Sequence, residues 1–170
     1  MSSDVQSLMQ RAAFELRIDD LKALFGTATD LHGLLLAACS AHNPDAALQR
    51  RVIRFLVDAG VDVEERYKNG VTPLHRAARY RSLAAVETLI ELDASVNAVD
   101  RRTCSTPLHR AVTNTGAPGT AGKMDAAIEI ARLLLANGAD PTIKNKRGKT
   151  PRDYIRNPRM LAVFEKHASG

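Results

Sequence analysis

The sequence has few cysteines, few aromatic residues and no long apolar run. Its two cysteines, Cys39 and Cys104, allow at most one disulfide in 170 residues, which does not make a disulfide-rich secreted scaffold. Tryptophan is absent, and aromatic residues form 4% of the chain. The longest apolar run, 34–39, has six residues, far from the roughly 20 needed to cross a bilayer. We therefore expect no membrane span.

The charge is moderately one-sided. The chain has 24 Lys and Arg against 19 Asp and Glu, for a net charge of +5, and this balance favours acidic partners without specifying them. Residues 1–4 carry no basic stretch followed by an apolar one, so no targeting signal is predicted. We expect a cytoplasmic monomer that forms one domain over residues 1–170.

One stretch of seven residues occurs twice. TPLHRAA covers 72–78 and TPLHRAV covers 106–112, thirty-four residues later, and a fixed period of this size is typical of repeat proteins. In both copies Thr-Pro predicts the start of a short helix, since threonine caps and proline fits the first turn. Each short helix is followed by a helix with an apolar stripe. The stripes are Leu83, Val86, Leu89 and Ile90 in one copy, and Ile128, Ala131, Leu134 and Leu135 in the other.

Weaker copies of this pattern extend over the rest of the chain. HGLLLAA at 32–38 aligns with TPLHRAA, MQRAA at 9–13 begins a fragmentary first copy, and TPRDYI at 150–155 opens a last one. The pattern predicts five helical pairs with atypical outer pairs, as the polar ends of a solenoid require. Their approximate bounds are 5–27, 28–65, 66–99, 100–143 and 144–168.

These residues resemble the ankyrin repeat family, whose pattern places Thr-Pro-Leu-His-x-Ala at the start of a unit of roughly 33 residues. The resemblance covers about 8–167. It implies an all-α fold, an ankyrin-repeat solenoid of antiparallel helix pairs with short β-turn fingers, in which the fingers and first helices line a concave face. It also implies a structural role for the motif residues. These are Thr72, Pro73, His75, Thr106, Pro107 and His109.

Two segments depart from the repeat length. Extra residues fall within 40–51 and within 113–123, and both segments are predicted to lie between the first and second helix of their pair. Loops on a repeat scaffold often carry function. Their Gly, Ala, Pro and Thr content is equally consistent with filler, so both interpretations stay open.

Candidate catalytic and metal-binding residues are few. His75 and His109 are suitable as general bases or ligands, but no carboxylate, cysteine or serine accompanies them at the same offset in both copies. Cys39 with His42, and Cys104 with His109, are two ligand pairs in repeats two apart, whereas structural zinc usually has four ligands together. A catalytic site on the inserted segments has no residue set that can be named. We predict no enzyme, no metal and no cofactor.

Basic residues and two tyrosines fall on the predicted fingers and first helices. We predict that they form a non-catalytic interaction surface for an acidic protein segment, since Arg and Tyr are enriched at binding hot spots. Reversing Arg76, Arg79 and Arg110 to Glu is expected to abolish binding without much loss of stability. Nearby acids, at 62, 64, 65 and 100, dilute the positive field. The predicted partner-binding residues are Arg66, Tyr67, Lys68, Arg76, Arg79, Tyr80, Arg101, Arg102, Arg110 and Lys146.

Direct nucleic-acid binding by the basic fingers is the alternative. Such binding would be steeply salt-dependent, because each phosphate contact releases counterions. The modest net charge and the scarcity of aromatic residues argue against it.

Overall fold

The computed structural model describes residues 2–26, 30–41, 45–113 and 120–169. Within these ranges the only β-type pairing is an isolated bridge between Tyr67 and Val71, so the predicted all-α class is confirmed. None of the helices in these ranges is long and apolar enough to span a membrane. The helices are α1 Ser2–Phe14, α2 Ile18–Phe25, α3 Leu34–Ala38, α4 Ala46–Asp58, α5 Pro73–Tyr80, α6 Leu83–Glu91, α7 Pro107–Val112, α8 Met124–Ala136 and α9 Pro158–Ala168, with 3-10 turns at Lys68–Gly70 and Pro151–Tyr154.

Consecutive elements pack as helix pairs, and the pairs stack. The first elements form an inner row, in which α1 contacts α3, α3 contacts α5, α5 contacts α7, and α7 contacts the 3-10 turn at Pro151–Tyr154. The second helices form an outer row in which α4 contacts α6, α6 contacts α8, and α8 contacts α9. The two rows enclose one continuous apolar core.

The Thr-Pro motifs begin α5 and α7. Thr72 Oγ1 accepts a hydrogen bond from the backbone N–H of His75 at 3.4 Å, and Thr106 does the same for His109 at 3.3 Å. Proline occupies the first turn of both helices, where its missing N–H loses no hydrogen bond. The next residue, Leu74 or Leu108, is fully buried and anchors the helix to the core.

The predicted apolar stripes face the core. Val86 and Leu89 are fully buried in α6, while Leu83 and Ile90 pack against them. All four stripe residues of α8 are at most 3% exposed. A fully buried leucine such as Leu89 contributes about 1.5–3 kcal/mol to stability by leaving water.

The first helix of the second pair, α3, begins without the threonine cap and proline found in α5 and α7. Gly33 stands at the proline position of the motif, and no side chain of its own segment caps α3. The Gly33 N–H instead donates to Glu65 Oε2 at 3.0 Å, and His32 Nδ1 lies 3.4 Å from the same oxygen. Burial raises the pKa of Glu65, although the hydrogen bond from Gly33 and the nearby His32 oppose the rise. A carboxylate at the end of the same repeat thus replaces the missing threonine.

The segment 40–51 contains less loop than predicted. Helix α4 begins at Ala46, because Asp45 accepts a hydrogen bond from the Leu48 N–H at 2.8 Å and caps the helix. Placing 46–51 between helices was therefore wrong. Gln49 lies buried, where it donates to the Ala38 carbonyl at 2.9 Å. Residues 42–44, with the candidate ligand His42, and 114–119 of the other segment lie outside the described residues.

Candidate functional site

Three turns project between successive helix pairs, and we call them the fingers. Each finger is closed by a backbone hydrogen bond across four or five residues, which fixes the position of the side chains at its tip. These bonds are Tyr67 N–H to Val71 O at 3.0 Å, Asp100 N–H to Ser105 O at 3.1 Å, and Asn145 N–H to Lys149 O at 2.9 Å.

Neighbouring fingers are joined to each other by backbone hydrogen bonds. The Arg101 N–H donates to the Asn69 carbonyl at 2.6 Å, and the Lys146 N–H donates to the Thr103 carbonyl at 2.8 Å. The first bond requires close approach at Gly70, whose φ is +73° and where an added Cβ would lie 3.1 Å from the Arg101 nitrogen. The fingers therefore form a connected row that presents its side chains as one surface.

Two adjoining clefts lie between the fingers and the first helices. The central cleft has a volume of about 230 Å³, and the finger cleft has a volume of about 330 Å³. Because Arg102 and Arg110 line both, the clefts form one continuous depression, which we call the basic groove. Its cationic residues are Lys68, Arg76, Arg79, Arg102 and Arg110 in the central cleft, with Lys146 and Arg147 added in the finger cleft.

The structure brings together seven of the ten predicted partner-binding residues. Tyr67 and the five cations of the central cleft line it together, and Lys146 lines the finger cleft. The other three lie outside both linings. Arg66 donates to the Val99 carbonyl at 3.1 Å, Arg101 packs against Gly70, and Tyr80 has the Arg76 guanidinium over its ring at 5.7 Å.

Arg110 is held inside its own finger. Its Nη2 donates to Asp100 Oδ2 at 2.9 Å and to Thr103 Oγ1 at 3.2 Å. The Asp100 side chain is 1% exposed and that of Arg110 is 16% exposed. Arg110 was predicted to contact a partner in the same way as Arg76. The structure differs, because the charge of Arg110 already has a buried counterion in Asp100.

Asp100 organises the finger that contains it. It accepts hydrogen bonds from the Thr103 N–H at 2.7 Å, the Thr103 hydroxyl at 2.6 Å and the Arg102 N–H at 3.0 Å. Burial alone would raise the pKa of Asp100, but the hydrogen bonds from Thr103 and the charge of Arg110 lower it below the usual range. Asp100 stays ionised, and its charge is largely compensated from within.

Among the residues that the structure describes, Arg76 and Arg79 have no such counterion. Both line the central cleft, both are partly buried, and their Nε atoms have no hydrogen-bond partner within the described ranges. The cation–π contact with Tyr80 holds Arg76 in place and leaves its formal charge uncompensated. An unpaired charge at a partly desolvated position binds an anion more strongly than a fully solvated one does.

His75 and His109 are fixed at both ring nitrogens. His75 Nδ1 lies 2.8 Å from Thr72 Oγ1, and its Nε2 lies 2.8 Å from the Ser105 carbonyl. A carbonyl only accepts, so Nε2 carries the proton, while Nδ1 accepts from the Thr72 backbone N–H at 3.4 Å, which makes the ring neutral. His109 repeats this arrangement with Thr106 and the Lys149 carbonyl. Burial lowers the pKa of His75 to about 4 and also lowers that of His109.

The cysteines have no metal-site geometry in the described part of the chain. Cys39 is buried, and burial raises the pKa of its thiol, while Cys104 is half-buried. No group of three or more His, Cys, Asp or Glu side chains there is arranged to hold a metal. Both nitrogens of His109, the second member of one candidate pair, already face protein oxygens.

Sequence reasoning missed the roles of two acids. Asp100 and Glu65 were counted as diluting the basic field, yet the first is a hub of finger hydrogen bonds and the second supports α3. The order Asp-x-x-Thr at 100–103 was a usable signal, because aspartate in a turn often bonds the backbone two or three residues on. The cap from Glu65 had no local signal, since Gly33 lies 32 residues away in sequence.

Stacked helix pairs, joined fingers and a basic groove define a helical repeat protein. The chain belongs to the ankyrin repeat family, since the family model for ankyrin repeats in three copies matches residues 8–100 and 34–145. Ankyrin repeats generally mediate protein–protein interaction, and the family is typically non-enzymatic.

The chain is similar to segments of larger ankyrin-containing proteins. It is 34% identical over 115 residues to BRCA1-associated RING domain protein 1 of Caenorhabditis elegans, covering 67% of the chain and 15% of that protein. It is 34% identical over 110 residues to Rabankyrin-5 of Mus musculus, covering 63% and 9%. With putative ankyrin repeat protein FPV031 of fowlpox virus (strain NVSL), identity is 34% over 124 residues, covering 72% and 31%. The matches thus span less than a third of each relative.

Proposed function

We propose that the basic groove binds an acidic segment of a partner protein. The observation that carries this proposal is the charge balance of the central cleft, where five cationic side chains face a single carboxylate, Asp100. Arg110 already compensates that carboxylate. Lys68, Arg76, Arg79 and Arg102 are left to attract an external anion.

The chemistry of these cations suits carboxylates. A guanidinium donates two parallel hydrogen bonds to one carboxylate, which adds geometric specificity to the charge attraction. Such contacts carry more energy at partly buried positions, like those of Arg76 and Arg79, than at a solvated rim. We expect Arg76 and Arg79 to provide most of the affinity, while Arg102 and Lys146 at the finger tips mainly increase the association rate.

The contacts that the Tyr67 and Tyr80 rings make favour a protein ligand over a nucleic acid. Binding of single strands without sequence preference uses aromatic faces on which bases stack. Tyr67 stacks on His32 with ring centroids 5.3 Å apart, and its ring also lies 5.9 Å from the ammonium of Lys68. Tyr80 lies below Arg76. These two rings are therefore engaged with side chains of the protein itself.

A titration with matched ligands tests the proposal. Fluorescence anisotropy would compare a dye-labelled glutamate-rich peptide with a single-stranded oligonucleotide of the same net charge, each at low and at physiological salt. We expect the peptide to bind, and its affinity to decrease with salt. Failure of the peptide to bind at low salt would contradict the proposal, and tighter binding of the oligonucleotide would favour the nucleic-acid alternative.

A further inference from the structure

Another cleft lies where α5 and α7 end, away from the fingers, which precede these helices. Its volume is about 430 Å³, which is in the range of small-molecule sites. Six of its ten lining residues are apolar, and it shares only Tyr154 with the lining of the basic groove. We call it the distal cleft. The apolar lining residues with accessible surface are Val112, Met124, Ile155 and Pro158.

A buried arginine lines the distal cleft. Arg81, which follows α5, is 7% exposed. Among the described residues its guanidinium forms no ion pair, and its one hydrogen bond runs from Nη1 to the Thr120 carbonyl at 3.4 Å, longer than an ordinary N–H···O bond. Burial lowers the pKa of Arg81, but an arginine keeps its proton at neutral pH. The apolar cleft therefore contains a desolvated positive charge.

The protein supplies no carboxylate to compensate this charge. The part of the lining that the structure describes includes neither aspartate nor glutamate, and the sequence outside the described ranges contains neither residue. The lining adds a second cation instead. Arg156 Nη1 donates to the backbone carbonyls of Asp153 and Ile155 at 3.2 and 3.1 Å, and these groups carry no formal charge. A bound anion would supply the missing negative charge.

The backbone at Arg81 does not require an arginine. Its φ is +58°, in the left-handed region that costs a non-glycine residue free energy. Leu16 lies three residues after an alanine pair, as Arg81 does, and has the same φ. In both turns the N–H donates to the carbonyl three residues before it at 3.2 Å. Leu16 is 5% exposed, so the first repeat forms the same turn without burying a charge. Backbone strain together with an uncompensated charge is typical of a functional position.

We propose that the distal cleft binds a small carboxylate with an apolar body, of the kind that a medium-chain fatty acid provides. The carboxylate lies against Arg81, whose Nε and Nη2 are not bonded to Thr120 and suit two parallel hydrogen bonds. The apolar body packs against Val112, Met124 and Ile155. This site is distinct from the basic groove, because its ligand is a small molecule and its cations are different residues.

Titration of the wild-type protein with octanoate tests the site. Carbon-13 methyl NMR of methionine reports the location, because Met124 and Met160 line the cleft whereas Met9 is buried in α1. We expect octanoate to shift the Met124 and Met160 signals and to leave that of Met9 unchanged. Octanol has the same chain without the charge and should bind roughly tenfold more weakly. Equal binding of octanoate and octanol, or no shift of either cleft methionine at millimolar octanoate, would overturn the inference.

Variants of Arg81 assign the charge recognition. Arg81→Leu should lower octanoate affinity roughly tenfold, and its melting temperature should not fall, because Leu16 occupies the same backbone conformation. Arg81→Lys keeps the charge and should lose less affinity. The matched control is Arg132→Leu, which removes a half-exposed arginine of α8 and should leave octanoate binding unchanged. Undiminished octanoate binding by a folded Arg81→Leu protein would overturn the inference.

The distal cleft and the basic groove can be tested independently. The double variant Arg76→Gln with Arg79→Gln should bind octanoate like the wild type, and Arg81→Leu should bind the glutamate-rich peptide like the wild type. Loss of octanoate binding in the groove double variant would place the carboxylate in the basic groove and overturn the inference.

Discussion

The Arg110 guanidinium donates to the Asp100 carboxylate at 2.9 Å, within the finger that precedes its helix. Arg76 has the same motif position in the preceding repeat, but the residue that corresponds to Asp100 there is Arg66. Arg76 accordingly has no carboxylate in its own finger and lies over Tyr80. Two arginines at the same motif position thus have different surroundings, since Arg110 is paired with a buried carboxylate and the Nε of Arg76 has no hydrogen-bond partner in the described residues.

Removing the buried carboxylate should destabilise the protein strongly. Asp100→Ala leaves Arg110 without its counterion and the Thr103 N–H without its acceptor, so we expect a loss of about 3–5 kcal/mol in unfolding free energy. Urea denaturation measures this loss. The matched control is Glu129→Ala, which breaks the ion pair with Arg132 between side chains that are both half-exposed and should cost at most about 1 kcal/mol. Equal losses in the two variants would show that the finger does not depend on Asp100.

Stability should decrease in mild acid because of His75. Its folded pKa of about 4 lies below the ordinary value of 6.5, so the unfolded chain takes up the proton first as pH falls. The full contribution is present above pH 6.5 and is lost between 6.5 and about 4, amounting to about 2 kcal/mol between pH 7 and pH 5. His109, whose pKa is also lowered, acts in the same direction.

Urea titrations at pH 7 and pH 5 measure this dependence, with His75→Gln as the comparison. The variant is less stable at both pH values, but its stability should change less between them, since one proton uptake is removed. An unchanged difference between the two pH values would mean that His75 titrates normally in the folded protein.

The end of α6 offers a stabilising substitution. Asp93 has φ +63°, whereas the corresponding sites after α4 and α8 are Gly60 and Gly138, with φ +94° and +85°. Left-handed backbone costs a non-glycine residue roughly 1 kcal/mol, so Asp93→Gly should raise the unfolding free energy by about 0.5–1 kcal/mol. Asp93→Ala is the control and should lower it, because alanine keeps the positive φ and tolerates left-handed backbone less well than aspartate does. Thermal and urea unfolding of both variants check the opposite signs.

The parts of the fold that repeat in sequence could be predicted from it. Thr72 and Thr106 cap their helices as expected because a cap depends on residues three positions apart. The start of α4 was placed too late, since Asp45 was interpreted as part of a loop rather than as its cap. Contacts between residues far apart in sequence gave no local signal, and the bond from Gly33 to Glu65 and the bond from Ser82 to Gln49 join residues more than 30 positions apart.

The candidate site was predictable in composition but less so in detail. Finger and first-helix positions follow from the register, and most of the predicted cations do line the basic groove. Which of them are already paired depends on the side chains of the adjacent finger, as Arg110 and Arg76 illustrate.

The most direct test of the basic groove compares two double variants with equal loss of charge. Arg76→Gln with Arg79→Gln removes the two uncompensated groove cations, whereas Arg54→Gln with Arg132→Gln removes two half-exposed arginines of the outer helices. Calorimetric titration with the glutamate-rich peptide should show at least a tenfold loss of affinity for the groove variant and less than about twofold for the outer variant, with melting temperatures close to wild type. Equal losses in both variants, or undiminished binding by a folded groove variant, would contradict the account.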